Sequence, residues 1–182
     1  MTMRRPRFIA EQARNAKGPL GRFIASIMAR ETWGMNLRAI EALDIERRDH
    51  IVDVGCGHGR GFATLAALAP DGVVAGADPS PLMVEIALRR NRKLMRTQRI
   101  EVIVARADAL PFPDAAFDKA MCVHVVYFWA DLDAPLREIA RVLKPGGRLA
   151  MVLRTNADAA AVQAFPVEVY RFPALVEIVA AL

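Results

Sequence analysis

The sequence predicts an α/β fold: a doubly wound, mostly parallel sheet in the strand order 3-2-1-4-5, with helices on both faces. Three observations lead there. From Ile51 onward, short apolar runs alternate with longer amphipathic ones, the pattern of successive βαβ units. Runs such as "EVIVA" and "LAMVL" lack a polar face, as burial beneath two helical layers demands. Right-handed crossovers then leave few arrangements of the strands.

Five strands are predicted, at Ile51–Val54, Val73–Ala77, Ile100–Val104, Phe117–Val123 and Gly147–Leu153. Before them, residues 1–49 form an N-terminal helical extension in which "NLRAIEALDI" is an amphipathic helix packed on the sheet. After the first strand, "GFATLAALA" reads as a helix. After the second, Ser80 can cap a helix whose first residue is Pro81, where a missing N–H does no harm. Asp133 can likewise cap "APLREIARVL", which must stop at "KPGG", where Gly146 or Gly147 can take positive φ. Residues 50–154 form the core, and 155–182 a last segment whose "RFPALVEIVAAL" is helical in pattern. A chain of 182 residues suits one such domain.

Composition excludes several classes. The chain is 54% hydrophobic with a mean hydropathy of +0.20, yet no apolar run approaches the roughly 20 residues that span a bilayer. No secretory signal is apparent, so the expected compartment is the cytoplasm. Cys56 and Cys122 have no partners at metal-ligand spacing, which argues against a disulfide framework or a zinc site. A net charge of +5 raises the question of nucleic acid. The cations gather at Arg4, Arg5 and Arg7, and again at Arg89, Arg90, Arg92, Lys93, Arg96 and Arg99, where they complement a helix C-terminus. A nucleic-acid partner is therefore not expected.

The stretch "VDVGCGHGRG" places Gly55, Gly57, Gly59 and Gly61 between a strand and a helix. Such a loop brings backbone N–H groups and a positive helix end to the carboxyl edge of the sheet, where nucleotide-like ligands bind. Spacing rejects two ligands. A G-x-G-x-x-G dinucleotide fingerprint would need glycine at Arg60 or Phe62, and no Lys-Ser or Lys-Thr pair completes a phosphate-cradling loop.

In order, "VDVGCGHGRG", "GADPSPLM", "ARADALPFPDAAFD" and "LREIARVLKPGGRLAMV" resemble the motif series of class I S-adenosylmethionine-dependent methyltransferases, in the subgroup related to quinone-biosynthesis C-methyltransferases. "HVVYFWADLDAPL" and "GPLGRF" are similar to segments of bacterial members. The resemblance implies a Rossmann-like fold with S-adenosylmethionine as cofactor. It implies that Asp53 and the Gly55, Cys56 and Gly57 backbone meet the methionine end, and that Asp78 accepts from both ribose hydroxyls. It further implies Pro79 and Ser80 along the ribose and adenine, Asp108 at the adenine amino group, Ala109 and Leu110 against its ring, and His124 facing the reacting centre. Taken alone, Asp53 and Asp78 are equally suited to capping helices, Asp108 to a turn, and Tyr127–Trp129 to a plain core.

The sulfonium is already activated and its leaving group departs neutral, so the protein's task is to align an acceptor in a water-poor site. A general base is needed only if the acceptor loses a proton; His124 and Tyr127 are the catalytic candidates. Asp131 and Asp133 read as residues at a helix start, and no metal is expected. The segment after the fourth strand lacks the Asn/Asp-Pro-Pro-aromatic signature that related base-amine methyltransferases carry, and the apolar, aromatic composition near Tyr127–Trp129, with the N-terminal segment, suggests by analogy a hydrophobic small-molecule acceptor. Members of the family usually carry two further strands after the fifth. Their apparent lack leads us to expect instability, pairing of two copies as a homodimer through the fifth strand, or coverage by residues 156–182. A cofactor-binding but inactive module is the second reading, and an NAD-dependent oxidoreductase a weaker third.

Overall fold

The computed structural model describes residues 4–182; the first three residues of the predicted N-terminal extension lie outside that range. Three helices come first, α1 (Arg7–Arg14), α2 (Gly18–Glu31) and α3 (Trp33–Leu43). The sheet is then laid down with its crossovers: β1 (Ile51–Val54), α4 (Phe62–Leu68), β2 (Val74–Asp78), α5 (Pro81–Arg90), α6 (Arg92–Met95), β3 (Ile100–Val104), β4 (Phe117–Val123), α7 (Asp133–Val142) and β5 (Leu143–Val152). Two short helices, α8 (Ala159–Ala164) and α9 (Leu175–Ala181), follow. The strands are parallel in the order β3-β2-β1-β4-β5, as the sequence predicts.

Alternation along the strands divides the core in two. Ile51 and Met121 face α3, α4 and α5, where Leu43, Phe62, Leu65 and Ala87 pack. Val52, Val54, Ala120 and Cys122 face the other way, onto Ile139 and Val142 of α7. No helix joins β3 to β4. The segment after β3 crosses beneath the sheet instead, and its Leu110 and Phe112 fill the space beside α7. Glu138 and Arg141 on α7 hold that segment from below. Leu110 N–H donates to Glu138 Oε1 at 2.9 Å, and the Arg141 guanidinium donates to the carbonyls of Leu110 and Phe112, both at 2.9 Å.

Three expectations are adjusted. The second strand runs one residue later than predicted and takes in Asp78; the fifth begins at Leu143, directly where α7 ends. The intervening "KPGG" forms an irregularity between the Phe117↔Leu143 and Lys119↔Arg148 pairs, with Gly146 at φ +80°. Asp133 is the first helical residue of α7 and does not cap it; the Asp131 carboxylate accepts from Ala134 N–H at 2.9 Å. Ser80 caps α5 as predicted, accepting from Met83 N–H ahead of Pro81.

The basic run after α5 is partly structural. Arg99 donates to the carbonyls of Ala69 and Pro70, and Arg89 pairs with Glu85. Beyond β5 the chain returns across the sheet: Ile178 of α9 is buried against Leu132 and Leu136, with Leu149, Met151 and Leu153 beside it. Residues 156–182 thus cover one face of β5, while no backbone hydrogen bond among the described residues joins them to its outer edge. Among the described residues, no helix is long and apolar enough to cross a membrane.

Arg141→Ala should release the segment after β3 without dissolving the sheet. The expected result is faster hydrogen exchange at Leu110 and Phe112 than in the parent, with the β1 and β4 amides still protected; Arg141→Lys, lacking the guanidinium fork, should not rescue it.

Candidate active site

The carboxyl ends of β1, β2 and β4 open onto a cavity of about 510 Å³, a size suited to a small organic ligand. Its floor is the glycine loop. β1 ends at Val54 and the chain turns with φ +79° at Gly55 and +53° at Gly57. A Cβ on Gly55 would collide with Val125, so the packing itself demands glycine there. A Cβ on Gly57 would meet no protein atom within 4 Å, and what it would occupy is the cavity. Gly55 and Cys56 N–H both donate to Ala77 O, at 2.7 and 3.1 Å, tying the loop to the end of β2.

Asp78, closing β2, holds the loop and the next helix together. Its Oδ2 accepts from Gly57 N–H and its Oδ1 from Ser80 N–H, each at 2.9 Å. Burial raises its carboxyl above the ordinary value, and those two donors oppose the rise. Asp53 is 4% exposed, and its carboxylate has no hydrogen-bond partner among the described residues. Burial first, and the Asp78 charge second, push it up to about 7. The cavity floor is thus a pair of carboxylates lacking a cation.

The remaining walls come from elsewhere in the chain. His58, whose burial and nearby Arg90 push it down to about 4, accepts from Arg60 N–H and is neutral near pH 7. The Arg60 guanidinium lies 4.5 Å over the Trp33 ring and donates to Ala29 O at 2.6 Å, pinning α2 and α3 to the glycine loop. Ala13–Ala16, Met28 and Thr32 form the roof, and Val167–Val169 a side wall. At the far end His124, with φ +59°, projects beyond β4. Its Nδ1 is 2.9 Å from Tyr127 Oη, which also accepts from Arg154 N–H at 2.6 Å. Burial lowers the imidazole's affinity for a proton, with Arg154 adding to the effect, and burial pushes the phenol up to about 12.

Of the residues singled out from sequence, Asp53, Gly55, Cys56, Gly57, Asp78, Pro79, Ser80, Asp108, His124 and Tyr127 all line this cavity. Ala109 and Leu110 do not: Ala109 is exposed, and Leu110, 3% exposed, is core beneath the sheet because Glu138 and Arg141 draw its backbone toward α7. Ala105 and Ala107 line the cavity in their place. Asp108 accepts from Nε and Nη2 along one edge of the Arg106 guanidinium, which holds its carboxyl below the usual range. The Cys56 thiol is raised well above its ordinary value by burial, which suits packing and not nucleophilic chemistry. Among the described residues no group of three or more His, Cys, Asp or Glu could hold a metal ion. Sequence reasoning missed Arg60 and the 138/141 clamp; for Arg60 the only signal was a cation set among the loop glycines.

A parallel sheet whose first loop is glycine-rich, whose second strand ends in an acid and whose pocket floor lacks a cation defines the class I fold that binds S-adenosylmethionine. A family described as a methyltransferase domain matches residues 52–151, and the chain belongs to it. Its cofactor is S-adenosylmethionine. Methyltransferase GfsG of Streptomyces halstedii is 36% identical over 127 residues, covering 68% of this chain and 45% of that protein. The demethylmenaquinone methyltransferase of Symbiobacterium thermophilum is 42% identical over 101 residues, covering 55% and 40%. A solved S-adenosylmethionine-dependent methyltransferase of Aquifex aeolicus superposes with a TM-score of 0.62 at 22% identity, covering 75% of this chain and 72% of that one, and so shares the fold. The chain spans less than half the length of both curated relatives.

The raised Asp53 carboxyl sets a pH dependence in the empty protein. In the folded chain it holds its proton to about pH 7, while unfolded it releases it near 3.8, so stability is full below about pH 4 and is lost as pH rises through 7. Asp53→Asn removes that loss. Urea unfolding should find the variant more stable than the parent at pH 8, with the gap closing toward pH 5.

Proposed function

We propose that this chain catalyses methyl transfer from S-adenosylmethionine to a small acceptor with an apolar body. The observation that carries it is the pair of carboxylates on the cavity floor, Asp53 without a partner and Asp78 with free lone pairs, beneath a glycine that leaves its Cβ space empty. That arrangement complements a ligand with an ammonium at one end and a ribose diol beyond a sulfonium. Asp53 would take the ammonium and Asp78 the two ribose hydroxyls. Asp108 reaches the adenine amino group while sharing its charge with Arg106.

The chain's contribution to the transfer is placement. Arg154 N–H donates to the Tyr127 oxygen, and the phenol O–H can then donate to His124 Nδ1, the arrangement in which the imidazole carries its proton on Nε2. His124 then presents a donor toward the cavity, suited to orienting an acceptor oxygen. Tyr127 keeps its proton up to about pH 12 and is a poor base at neutral pH. This favours an acceptor that is already nucleophilic over one that must be deprotonated by the protein.

Support for an apolar acceptor comes from a second cavity of about 150 Å³ between α1 and α2, walled by Ile9, Leu20, Phe23, Ile24 and Ile27. It borders the main cavity, with Ala13 and Met28 lining both. The neighbouring aromatic cluster of Tyr127, Phe128, Tyr170 and Phe172 adds to it. A homodimer and a cytoplasmic site of action remain part of this proposal.

Calorimetric titration with S-adenosylhomocysteine tests the reading. Asp78→Ala should weaken binding at least about tenfold, the loss of charge-assisted hydrogen bonds each worth ~1.5–3 kcal/mol. Affinity in the parent should rise from pH 5 to about 7 and then level, because the ammonium binds the ionised form of Asp53. A folded parent that shows no binding sinks the proposal.

A further inference from the structure

Residues 4–31 carry seven Arg and Lys side chains against two acids, Glu11 and Glu31, a net charge of +5. The whole chain also carries +5, so the remainder is balanced and the entire excess sits on α1, α2 and their flanks.

The same two helices hold an exposed apolar face. Leu20, Phe23 and Ile27 of α2 are 44%, 64% and 42% exposed, and Phe8 of α1 is 55% exposed. Spacings of three and four residues put Leu20, Phe23 and Ile27 on one side of α2, where they wall the groove against Ile9 of α1. The other side of α2 is committed to the body of the protein, with Ala25 packed on Met83 of α5. Lys17 stands three residues before the apolar stripe and Arg30 three residues after it; both are exposed, and neither is ion-paired among the described residues. Arg5 adds a guanidinium at the groove, 3.4 Å from Glu31.

An apolar stripe with a cation at each end complements an anionic bilayer, whose acyl chains take the one and whose phosphates take the other. A second copy docked here would bring two concentrated positive charges together, and a nucleic acid would set Leu20 and Ile27 against phosphate. Charge also separates this face from the exposed Leu175, Val176 and Val179 of α9, a helix that carries Glu177 and no cation.

We propose that the α1–α2 face docks on the surface of a bilayer containing anionic phospholipid, with Leu20, Phe23 and Ile27 among the acyl chains and Lys17, Arg30 and Arg5 at the phosphates. At 14 residues α2 lies in the plane of the surface and does not span it. Docking stands on these residues alone; that the bilayer supplies the acceptor rests on the methyl-transfer reading, in which the acceptor has an apolar body.

The test is sedimentation of the full chain with vesicles of phosphatidylcholine alone and of equal parts phosphatidylcholine and phosphatidylglycerol, at low and high salt, beside calorimetric titration of the parent with S-adenosylhomocysteine. The parent should bind the anionic vesicles at least about tenfold more tightly than the neutral ones, and salt should weaken that binding. Phe23→Asp should cost at least about tenfold and Lys17→Gln or Arg30→Gln about fivefold each, while Val179→Asp on α9 should bind as the parent does. All four side chains are exposed, and each variant should unfold in urea as the parent does. Equal binding to both vesicles, no binding to either, parent-like binding by Phe23→Asp, or an equal loss in Val179→Asp overturns docking and leaves the methyl-transfer reading intact. Duplex DNA binding that Arg30→Gln weakens and Phe23→Asp spares, without vesicle binding, overturns it in favour of a polyanion face. A parent that binds anionic vesicles but not S-adenosylhomocysteine keeps the docking surface and sinks the methyl-transfer reading.

Discussion

The Asp78 carboxylate is the joint on which the rest of the site depends. One oxygen accepts from the glycine loop at Gly57 and the other from Ser80 at the head of α5. Ser80 in turn caps α5 and holds the carbonyl of Ala16, so a single buried acid at the end of β2 links the loop, the helix and the N-terminal roof. Burying a carboxylate costs free energy that only well-aimed donors offset. Here two backbone N–H groups supply part of the compensation, and the lone pairs they leave are the ones a ribose diol would use. The same group therefore sets local structure and offers the geometry a ribose diol would use.

Asp53 shows the opposite economy. It stands one turn of the loop away, buried, without a donor, beside another acid. In the empty chain it is a source of instability at neutral and alkaline pH. A cationic ligand end converts it into an attractive partner by drawing off its proton. A fold selected only for stability would place an asparagine or an apolar residue here, so the acid points to function. Its register partners on the neighbouring strands, Gly76 and Met121, are uncharged, and nothing in that pairing asks for a charge.

Fold and floor were legible in the sequence because both rest on local rules. Short continuous apolar runs, a Ser-Pro helix start and glycines at φ > 0 are each readable within a few residues. The misplaced details all depended on partners far along the chain. Leu110 was assigned to an adenine wall, but Glu138 and Arg141, 28 and 31 residues away, pull its backbone under the sheet. Asp133 looked like a cap because it precedes the amphipathic run; Asp131, two residues earlier, reaches the free N–H.

The acceptor end of the site is made by the two ends of the chain meeting over the sheet. Arg5 N–H donates to Ala164 O at 2.7 Å, the Arg5 guanidinium lies 4.8 Å over the Phe165 ring, and Arg171 N–H donates to the carbonyl of Tyr127. Between them Tyr170 is buried, stacked among Phe128, Phe165 and Phe172. These contacts are aromatic and apolar with few directional bonds, whereas the cofactor floor is held by backbone hydrogen bonds in the sheet and loop. Tyr127, packed against Tyr170 and Phe172, joins this cluster to the pocket, its oxygen bonded to His124 Nδ1 and to Arg154 N–H.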